Sequence, residues 1–364
     1  MTADPLHTLR QYLIGATAAI DVRSPAEYAQ GHLPGAINLP ILDDEERRQV
    51  GTTYRNTGSD AAHALGHRLV SGEIRQARIA AWLDALRQHP DAYLYCWRGG
   101  ARSTIAAQWL AEQGQQPWRV PGGYKAIRAL CLETLAVSVP QTASWWLLGG
   151  RTGSGKTLLL QTLRRAVDLE GLAAHRGSAF GARTTPQPAV ATFENTLACA
   201  LLRLGNGHLV LEDESRMIGR LAIPEAVHRA MQRAPVALLE TPLEARIANI
   251  RGEYVTQPLL TSNPEALEAH YVRALQRIRR RLGGQRHQDV EQALRHGFAT
   301  GEHDGWIERL LTWYYDPMYD YQLAQKRARI RYAGAARDVG AFLDTQLEAG
   351  YREIAGDNHD PQPG

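Results

Sequence analysis

Apolar and helical patterns alternate along the N-terminal third of the chain. The apolar runs Ala18–Val22 and Ala92–Tyr95 have the length of buried strands, and Trp118–Val120 repeats the pattern. Two further segments, Ile79–Leu86 and Thr104–Leu110, carry apolar side chains at helical spacing. Because strands that alternate with helices form a parallel sheet with helices on its faces, this region is predicted to be an α/β domain.

A second alternating series begins at the apolar run Trp145–Leu148, which leads into a glycine-rich loop. A helix is predicted at Thr157–Leu163, and Leu209–Leu211 and Val236–Leu239 read as further buried strands. From about residue 242 to 328 the pattern is mostly helical and rich in arginine. The predicted fold is therefore α/β in both halves, with a helical, arginine-rich C-terminal part.

The chain length of 364 residues favours two domains. We predict a first domain at 1–137, a linker at 138–142, a second domain at 143–340, and a C-terminal helix with a frayed tail at 341–364. No apolar run is long enough to span a membrane, and the N-terminus lacks a secretory pattern. A cytoplasmic location is expected.

The three cysteines are far apart and have no C-x-x-C spacing, which argues against a disulfide framework or zinc site and for a reducing compartment. The net charge is only +3, but lysine occurs only at positions 125, 156 and 326, so nearly all positive charge is arginine. Composition alone favours a GC-rich genome as the explanation. Contact with phosphate or RNA is the alternative, since arginine's planar fork suits both.

The loop Tyr95–Ser103 reads YCWRGGARS and places a cysteine before a glycine-rich turn. Backbone N–H groups in such a turn form an anion nest, and the following helix N-terminus adds partial positive charge. Such surroundings lower a cysteine pKa from about 8.5 to roughly 3.5–7.5 and so favour the nucleophilic thiolate. A buried structural cysteine is the alternative, and we favour it for Cys131 and Cys199. The candidate catalytic residues of this loop are Cys96, Arg98, Gly99, Gly100, Arg102 and Ser103.

The loop Gly149–Thr157 reads GGRTGSGKT and fits the phosphate-loop pattern G-x-x-x-x-G-K-[ST]. Its glycines let the backbone approach phosphate oxygens, its lysine adds a charge, and its threonine hydroxyl is a candidate magnesium ligand. The candidate phosphate-binding residues are Gly150, Gly153, Ser154, Gly155, Lys156 and Thr157.

Three acidic residues follow a predicted strand at Leu209–Leu211. A phosphate loop usually has an acidic partner at the end of another strand. Glu212 or Asp213 is therefore expected to hold a metal through water, and Glu214 is expected to act as a base. We take Thr157 and Asp213 as candidate magnesium ligands. The alternative is a solvated helix start with Asp213 as its cap.

The segment His175–Gly181 combines basic, glycine and hydroxyl residues. Arg176 and Ser178 are candidate ligands of a substrate phosphate. An ordinary loop is an equal alternative on composition alone.

Two basic clusters are candidates for RNA contact, and a set of aromatic residues could stack a base. The alternative for the basic clusters is a solvated helix face, and the alternative for the aromatic residues is packing in the core. If the clusters bind RNA, affinity should fall steeply with salt. The first cluster is Arg273, Arg277, Arg279, Arg280, Arg281 and Arg286 with His287; the second is Lys326, Arg327, Arg329 and Arg331; the aromatic residues are Trp313, Tyr314, Tyr315, Tyr319 and Tyr321.

The N-terminal motifs DVRSPAEY at 21–28 and GHLPGAIN at 31–38 resemble the signature of rhodanese domains. Cys96 and the pair Gly122-Gly123 occur in the order that family shows. The resemblance implies a cysteine that carries sulfur or selenium. Here, however, Cys96 and Arg102 form C-x5-R, which is similar to the rhodanese-fold phosphatases and should admit a larger, phosphate-sized group.

Further blocks along the chain are similar to those of the tRNA 2-selenouridine synthase family, in which a rhodanese domain precedes a P-loop domain. These blocks are Asp44–Arg47 with Val50–Thr52, Cys96–Gly100, Gly122–Lys125, His175–Ser178, Phe193–Glu194, Glu212–Arg216 and Tyr314–Asp320.

That resemblance implies a transferase acting on wobble 2-thiouridine of bacterial tRNA. Its sulfur would be geranylated from geranyl diphosphate and then replaced by selenium from selenophosphate, with no tightly bound cofactor and with magnesium as a candidate. We expect the phosphate loop to hold geranyl diphosphate and the Cys96 loop to handle selenophosphate, with Cys96 attacking or relaying selenium. The reverse assignment stays open. The rival functions are a sulfurtransferase fused to an ATP- or GTP-dependent kinase, and a C-x5-R phosphatase with a regulatory nucleotide-binding domain.

Overall fold

The computed structural model describes residues 4–137, 145–182, 185–205 and 207–356. Contacts divide the chain into two compact units, Met1–Ser138 with Pro188–Gly205, and Val139–Gln187 with Asn206–Gly364. The predicted linker at 138–142 and the predicted tail from residue 357 onward lie outside the described residues.

The N-terminal segment alternates strands and helices as its apolar pattern predicts. Its strands are β1 (Ala19–Asp21), β2 (Ile37–Asn38) and β3 (Tyr93–Tyr95). Its helices are α1 (Pro5–Ile14), α2 (Pro25–Ala29), α3 (Asp44–Thr57), α4 (Ser59–Leu69), α5 (Gly72–Gln88), α6 (Ala101–Ala111) and α7 (Gly123–Val137).

The strands of this first unit form a parallel sheet in the order β2-β1-β3. Every residue of β1 and β3 is buried, as expected for strands covered on both faces. The predicted strand at 118–120 makes only one parallel bridge, Leu94 with Arg119. Pro117 and Pro121 flank it, and a proline cannot donate to a ladder, so the pairing stays short.

The segment from 145 to 239 contains β4 (Trp145–Gly150), α8 (Lys156–Leu160), β5 (Ala166–Val167), α9 (Leu169–Leu172), α10 (Val190–Leu204), β6 (Leu209–Glu212), β7 (Met217–Ile218), β8 (Leu221–Ala222), α11 (Glu225–Met231) and β9 (Val236–Leu239). The segment from 243 to 356 contains α12 (Leu243–Arg251), α13 (Gln257–Leu259), α14 (Pro264–Leu282), α15 (Gly284–Thr300), α16 (Asp304–Leu310), α17 (Asp316–Lys326), β10 (Ile330–Gly334) and α18 (Ala336–Gly356). The helix predicted from residue 341 therefore begins five residues earlier.

The second unit is built on a parallel sheet in the order β10-β9-β4-β6-β5. Its central strand β4 is buried at every position and leads directly into the glycine-rich loop. In register, Leu148 on β4 lies opposite Glu212 on β6. Because parallel strands end at the same edge of a sheet, this pairing brings the loop and the acidic residues together.

Contacts place helix α10 in the first unit, whereas the sequence pattern predicts these residues in a second domain at 143–340. It packs on α1 and α7, with Phe193 and Leu197 fully buried. Its polar residues are tied there as well, because Asn195 donates to the carbonyl of His32 at 3.0 Å and Arg128 pairs with Glu194.

The helical part of the second unit surrounds an apolar core that includes Tyr271, Leu275 and Trp306. Two π-helical segments, Gly252–Thr256 and Leu311–Tyr315, continue α12 and α16 without a break. Among the described helices, none has the length and apolarity needed to cross a bilayer.

Candidate active site

The first candidate centre is the loop between β3 and α6. Cys96 follows the buried strand, and its thiol donates to the Ser103 hydroxyl at 3.2 Å. That hydroxyl in turn donates to the carbonyl of Gly100 at 3.2 Å. The cysteine side chain is therefore directed toward the first turn of α6, where partial positive charge is concentrated.

The pair Gly122-Gly123 supports this loop from behind. The N–H of Tyr124 donates to the carbonyl of Cys96 at 2.8 Å, and the N–H of Lys125 donates to that of Trp97 at 3.0 Å. Gly123 has φ +58°, and a Cβ there would collide with the Cys96 carbonyl and the Gly99 amide. The glycine pair thus shapes the cysteine loop, which explains its place in the motif.

Substituting Gly123 with alanine is expected to destabilise the first unit by about 2–5 kcal/mol, the sum of left-handed strain and overpacking. Gly114→Ala is the matched control, since Gly114 has φ +77° and open space around it, and should cost only about 1–2 kcal/mol. Hydrogen exchange of peptides covering residues 93–111 measures the loss of stability in both variants. Equal protection in the two variants would contradict this role.

The arginines of the loop are arranged differently from the expectation. Arg102 forms a two-point ion pair with Glu27, so its charge is already matched inside the protein. Arg98 is exposed. Arg119, which the motif did not indicate, donates to the Gly99 carbonyl at 2.5 Å. An anion at this loop would therefore be held mainly by backbone N–H groups, with Arg98 as the cation facing solvent.

The second candidate centre is the loop between β4 and α8. Gly153 and Gly155 adopt φ +79° and +87°, which glycine tolerates without strain. Lys156 donates from Nζ to the carbonyl of Gly150 at 3.0 Å. A Cβ at Gly150 would lie 2.5 Å from Ser154 Oγ, so the loop has no room for a side chain there.

Polar side chains outside the motif hold the outer side of this loop. Arg246 donates to the Thr152 carbonyl at 2.9 Å, and Asn249 donates to that of Gly153 at 2.9 Å. Arg246 is 2% exposed and is clamped by Asp316 at 3.0 and 2.6 Å. Because these two carbonyls are engaged from outside, the loop can present N–H groups to an anion on its inner side, although the N–H of Ser154 already donates to the Arg151 carbonyl at 3.0 Å. These residues were missed from the sequence, although Asp316 lies in a recognised block.

Buried carboxyl groups surround the phosphate loop. Thr157 donates from its hydroxyl to Glu212 at 3.2 Å, and the N–H of Glu170 donates to the other oxygen of Glu212 at 3.0 Å. A Cβ at Gly177 would lie 2.5 Å from Glu170 Oε1 and 2.6 Å from Glu214 Oε2, so these two carboxyl groups converge there. Glu170 is a member of the cluster that the sequence did not indicate.

Burial is the main cause of the shifted titration in this cluster. Burial and the nearby carboxyl groups raise the pKa of Glu170 to about 10 and that of Glu212 to about 8. The pKa of Glu214 is also raised by burial, while the charge of Lys156 acts in the opposite direction. Several of these groups therefore hold protons at neutral pH, and one that loses its proton is a good general base.

Asp213 plays a different part from the one expected. It follows strand β6 without starting a helix, so it is not a helix cap. Its carboxylate pairs with Lys326 at 2.5 Å, whereas the Thr157 hydroxyl contacts Glu212. The structure thus brings the side-chain oxygens of Thr157 and Glu212 together, and the role of Thr157 and Asp213 as magnesium ligands stays a prediction.

Glu170→Gln is expected to make the second unit less sensitive to alkaline pH. The folded pKa values lie above the ordinary 4.5, so the native cluster keeps protons that the unfolded chain has released. The contribution of this cluster to the free energy of unfolding is therefore greatest below about pH 4.5 and is lost as the pH rises toward 8–10. The variant should recover roughly 1–3 kcal/mol at pH 8.5 relative to pH 5.5.

Urea unfolding at several pH values tests this, with the 82% exposed Glu302 changed to glutamine as the control. Parallel pH profiles for wild type and Glu170→Gln would show that the cluster does not titrate as described.

The segment His175–Gly181 packs against the carboxyl cluster through Gly177. Arg176 pairs with Glu253 and lies over the ring of Tyr254 at 4.6 Å. Ser178 shares a hydrogen bond with the Tyr254 hydroxyl at 3.2 Å. These side chains have protein partners, so the segment is placed beside the site by contacts with the first π-helical segment.

The first basic cluster is exposed, apart from one member, and its contact with RNA stays a prediction. The six arginines of α14 and α15 are exposed, while His287 is 3% exposed and lies 3.9 Å from Glu291. The hairpin of α14 and α15 buries that histidine between them.

Half of the second cluster is used inside the protein. Lys326 pairs with Asp213, and Arg329 donates to the carbonyls of Met231 and Ala234 at 2.9 Å, whereas Arg327 and Arg331 are exposed. Tyr314 and Tyr315 lie in the core, whereas Tyr321 is 70% exposed. Trp313 and Tyr319 are half-buried, so Tyr321 is the most exposed of the proposed stacking residues.

Comparisons with known proteins agree along both units. Residues 6–130 match the rhodanese-like domain family, and residues 143–350 match the family described as the tRNA 2-selenouridine synthase AAA domain. The protein named tRNA 2-selenouridine synthase of Sulfurovum sp. is 46% identical over 92% of this chain and 96% of its own length. The protein of the same name from Hydrogenovibrio crunogenus is 47% identical over 90% of this chain and 95% of its own length.

Proposed function

The chain belongs to the tRNA 2-selenouridine synthase family, and from that premise we propose that it converts wobble 2-thiouridine of tRNA to 2-selenouridine. The reaction has two stages, S-geranylation by geranyl diphosphate and replacement of the geranylated sulfur with selenium from selenophosphate. We propose a cytoplasmic location, where a tRNA substrate would be met. The observation that supports two stages best is the presence of two different anion-type loops, one with a thiol and one with a lysine.

The phosphate loop is proposed to hold geranyl diphosphate. The sulfur of 2-thiouridine attacks the first carbon of the geranyl group, the carbon–oxygen bond breaks, and diphosphate leaves. Lys156 and the loop's N–H groups would stabilise charge on the departing oxygens. Alkylation also releases the N3 proton of the uracil, and Glu214 is the candidate acceptor, since burial raises its pKa and makes its ionised form a stronger base, while the charge of Lys156 favours that ionised form.

Thr157 and Glu212 fit a magnesium ion, since a hydroxyl and a carboxylate oxygen are ligands of the kind this ion prefers. A bound ion would supply neutralising charge to the diphosphate. It would also lower the pKa of Glu212 by favouring its ionised form.

The Cys96 loop is proposed to carry out the second stage. Taking selenium from selenophosphate as a cysteine perselenide would need an oxidant, because the thiol and the selenide are both reduced. We therefore assign attack of the Cys96 thiolate on C2 of the geranylated base, with geranylthiol as leaving group. Selenium of selenophosphate then attacks C2 and releases Cys96. Water cleaves the selenium–phosphorus bond and leaves phosphate and 2-selenouridine.

Mass spectrometry of tRNA nucleosides after incubation with geranyl diphosphate, with and without selenophosphate, tests the proposal. Geranylated uridine should form without selenophosphate and selenouridine with it. Finding neither product would overturn it. Fast ATP turnover without tRNA would instead favour the kinase fusion, and aryl phosphate hydrolysis lost in Cys96→Ser would favour the phosphatase.

The exposed arginines of α14 are expected to bind tRNA phosphates. Changing three of them to glutamine should weaken tRNA binding and reduce the slope of log affinity against log salt by about 2–3, or roughly one per lost contact. Filter binding between low and high salt measures the slope. The variant changes Arg277, Arg280 and Arg281, and the control changes the exposed residues Arg87, Arg229 and Arg233. An unchanged slope in the first variant would assign RNA binding to another surface.

A further inference from the structure

A cavity of about 770 Å³ opens in the first unit, beside the cysteine loop. Its walls are mainly apolar and come from α3, α4, α6 and the segment before α3. The apolar residues that form them include Ile41, Leu42, Val50, Val70, Ile105 and Trp109. This volume lies within the range of about 300–1,000 Å³ typical of small-molecule sites. Neither the sheet nor the cysteine chemistry described above uses this space.

Arginines line the same cavity. Arg47 is held by Glu27 at 3.3 Å and the exposed Arg48 is paired with Glu45, whereas Arg55 is exposed. An apolar interior with exposed guanidinium groups matches a ligand with a hydrocarbon chain and an anionic attachment. A nucleotide within an RNA strand supplies phosphate groups on either side of the base that carries the chain.

The cavity borders the first turn of helix α6, into which the Cys96 loop leads. Ala101 and Ile105 of that helix line the cavity, whereas Cys96 is not among its lining residues. Glu27 also lines the cavity and pairs with Arg102 from the same turn. A chain bound here would lie beside this first turn, whose Ser103 accepts the hydrogen bond from the Cys96 thiol.

The cavity also accounts for the sequence block Asp44–Arg47 with Val50–Thr52, which the two loops leave unexplained. Asp44 accepts from the N–H of Ala26 at 2.9 Å and so fixes the start of α3 against α2. A Cβ at Gly51 would lie 2.6 Å from the Arg47 guanidinium, which therefore lies across that glycine. Asp44, Arg47, Val50 and Gly51 all line the cavity.

We propose that this cavity binds the geranyl chain of the S-geranylated wobble uridine while selenium replaces its sulfur. The inference rests on the proposed function and adds to it a site for the chain that is separate from the diphosphate site. The cavity would hold the base with C2 toward Cys96 and would accept geranylthiol as it leaves. Free geranyl diphosphate, by contrast, would be held at the phosphate loop.

Gly66→Leu tests the proposal by filling the cavity. Gly66 lies inside α4 and lines the cavity, and a Cβ there would meet only Val50, at 3.8 Å. Leucine is also a better helix former than glycine, so the variant should fold. Gly66→Ala is the matched control because it adds only one methyl group. Thermal unfolding of both variants should stay close to that of wild type.

Two half-reactions separate the outcomes. With pre-geranylated tRNA and selenophosphate, Gly66→Leu should raise KM or lower the rate at least tenfold, and Gly66→Ala should stay within threefold. Geranylation of 2-thiouridine tRNA by geranyl diphosphate should stay within twofold in both variants. Wild-type selenation by Gly66→Leu would overturn the proposal, and loss of geranylation instead would assign the cavity to geranyl diphosphate.

A binding measurement does not depend on turnover. A tRNA whose S-geranyl chain carries a diazirine should crosslink to peptides covering residues 41–70 and 101–109 of the full chain, and less so in Gly66→Leu. Crosslinks confined to peptides around residues 145–163 would overturn the cavity assignment. If wild type forms crosslinks at the cavity but no selenouridine, the proposed function fails while the binding site stands.

Discussion

Changing Lys156 to methionine is expected to lower the rate of S-geranylation by about 100- to 1,000-fold. Methionine keeps the length of the side chain but removes the charge that would face the leaving diphosphate, and loss of one such donor costs this much in comparable sites. The variant should still fold. The buried carboxyl groups near Lys156 can take up protons, since burial already raises the pKa of Glu170 and Glu212.

The defect should be confined to the first half-reaction. Pre-geranylated tRNA supplied with selenophosphate should be selenated by Lys156→Met within about threefold of wild type, because the cysteine loop belongs to the other unit. Arg229→Gln, with a 65% exposed side chain, is the control for a lost positive charge in the same unit. Geranylation at the wild-type rate in Lys156→Met would show that the diphosphate binds elsewhere.

The sequence predicts the parts of the site that depend on local pattern. Strand β4 is apolar at nearly every position because it is central in a parallel sheet, and the phosphate-loop motif follows it directly. Strand β3 is predicted from its apolar residues in the same way, and Cys96 follows it directly. The glycines could be assigned to tight backbone geometry, and Gly123, Gly153 and Gly155 do have positive φ.

Long-range pairing could not be predicted. Arg246 and Asp316 are 70 residues apart, and their contact depends on how α12 and α17 pack. Glu170 joins the carboxyl cluster because β5 pairs with β6, although nothing in its local sequence indicates a buried acid. His287 looks like part of a basic surface by spacing, yet the packing of α14 against α15 buries it.

The sequence also overestimates the number of free cations at the cysteine loop and in the second basic cluster. Arg102 is matched by Glu27, and Lys326 is matched by Asp213. Each pair joins residues from distant parts of the chain, so a motif cannot reveal it. Under the proposed function, anion binding at either loop would therefore depend on backbone N–H groups with one cation, Arg98 or Lys156. This arrangement explains why a single substitution at Lys156 should have so large an effect.

Changing Cys96 to alanine is expected to stop selenation, with a loss of at least about 1,000-fold, while geranylated tRNA accumulates. Without the thiol, the protein has no nucleophile to displace geranylthiol from C2, and removing a catalytic nucleophile costs this much or more. Mass spectrometry of tRNA nucleosides with both donors present should show geranylated uridine in place of selenouridine.

Cys199→Ala separates the role of the thiol from that of a buried cysteine. Cys199 is 1% exposed in α10, so its loss should affect packing and stability but leave selenation nearly unchanged. Selenouridine formed at the wild-type rate by Cys96→Ala would mean that selenophosphate attacks the geranylated base directly. In that case the loop would serve only to position the anion, and its thiol would have no covalent part in the reaction.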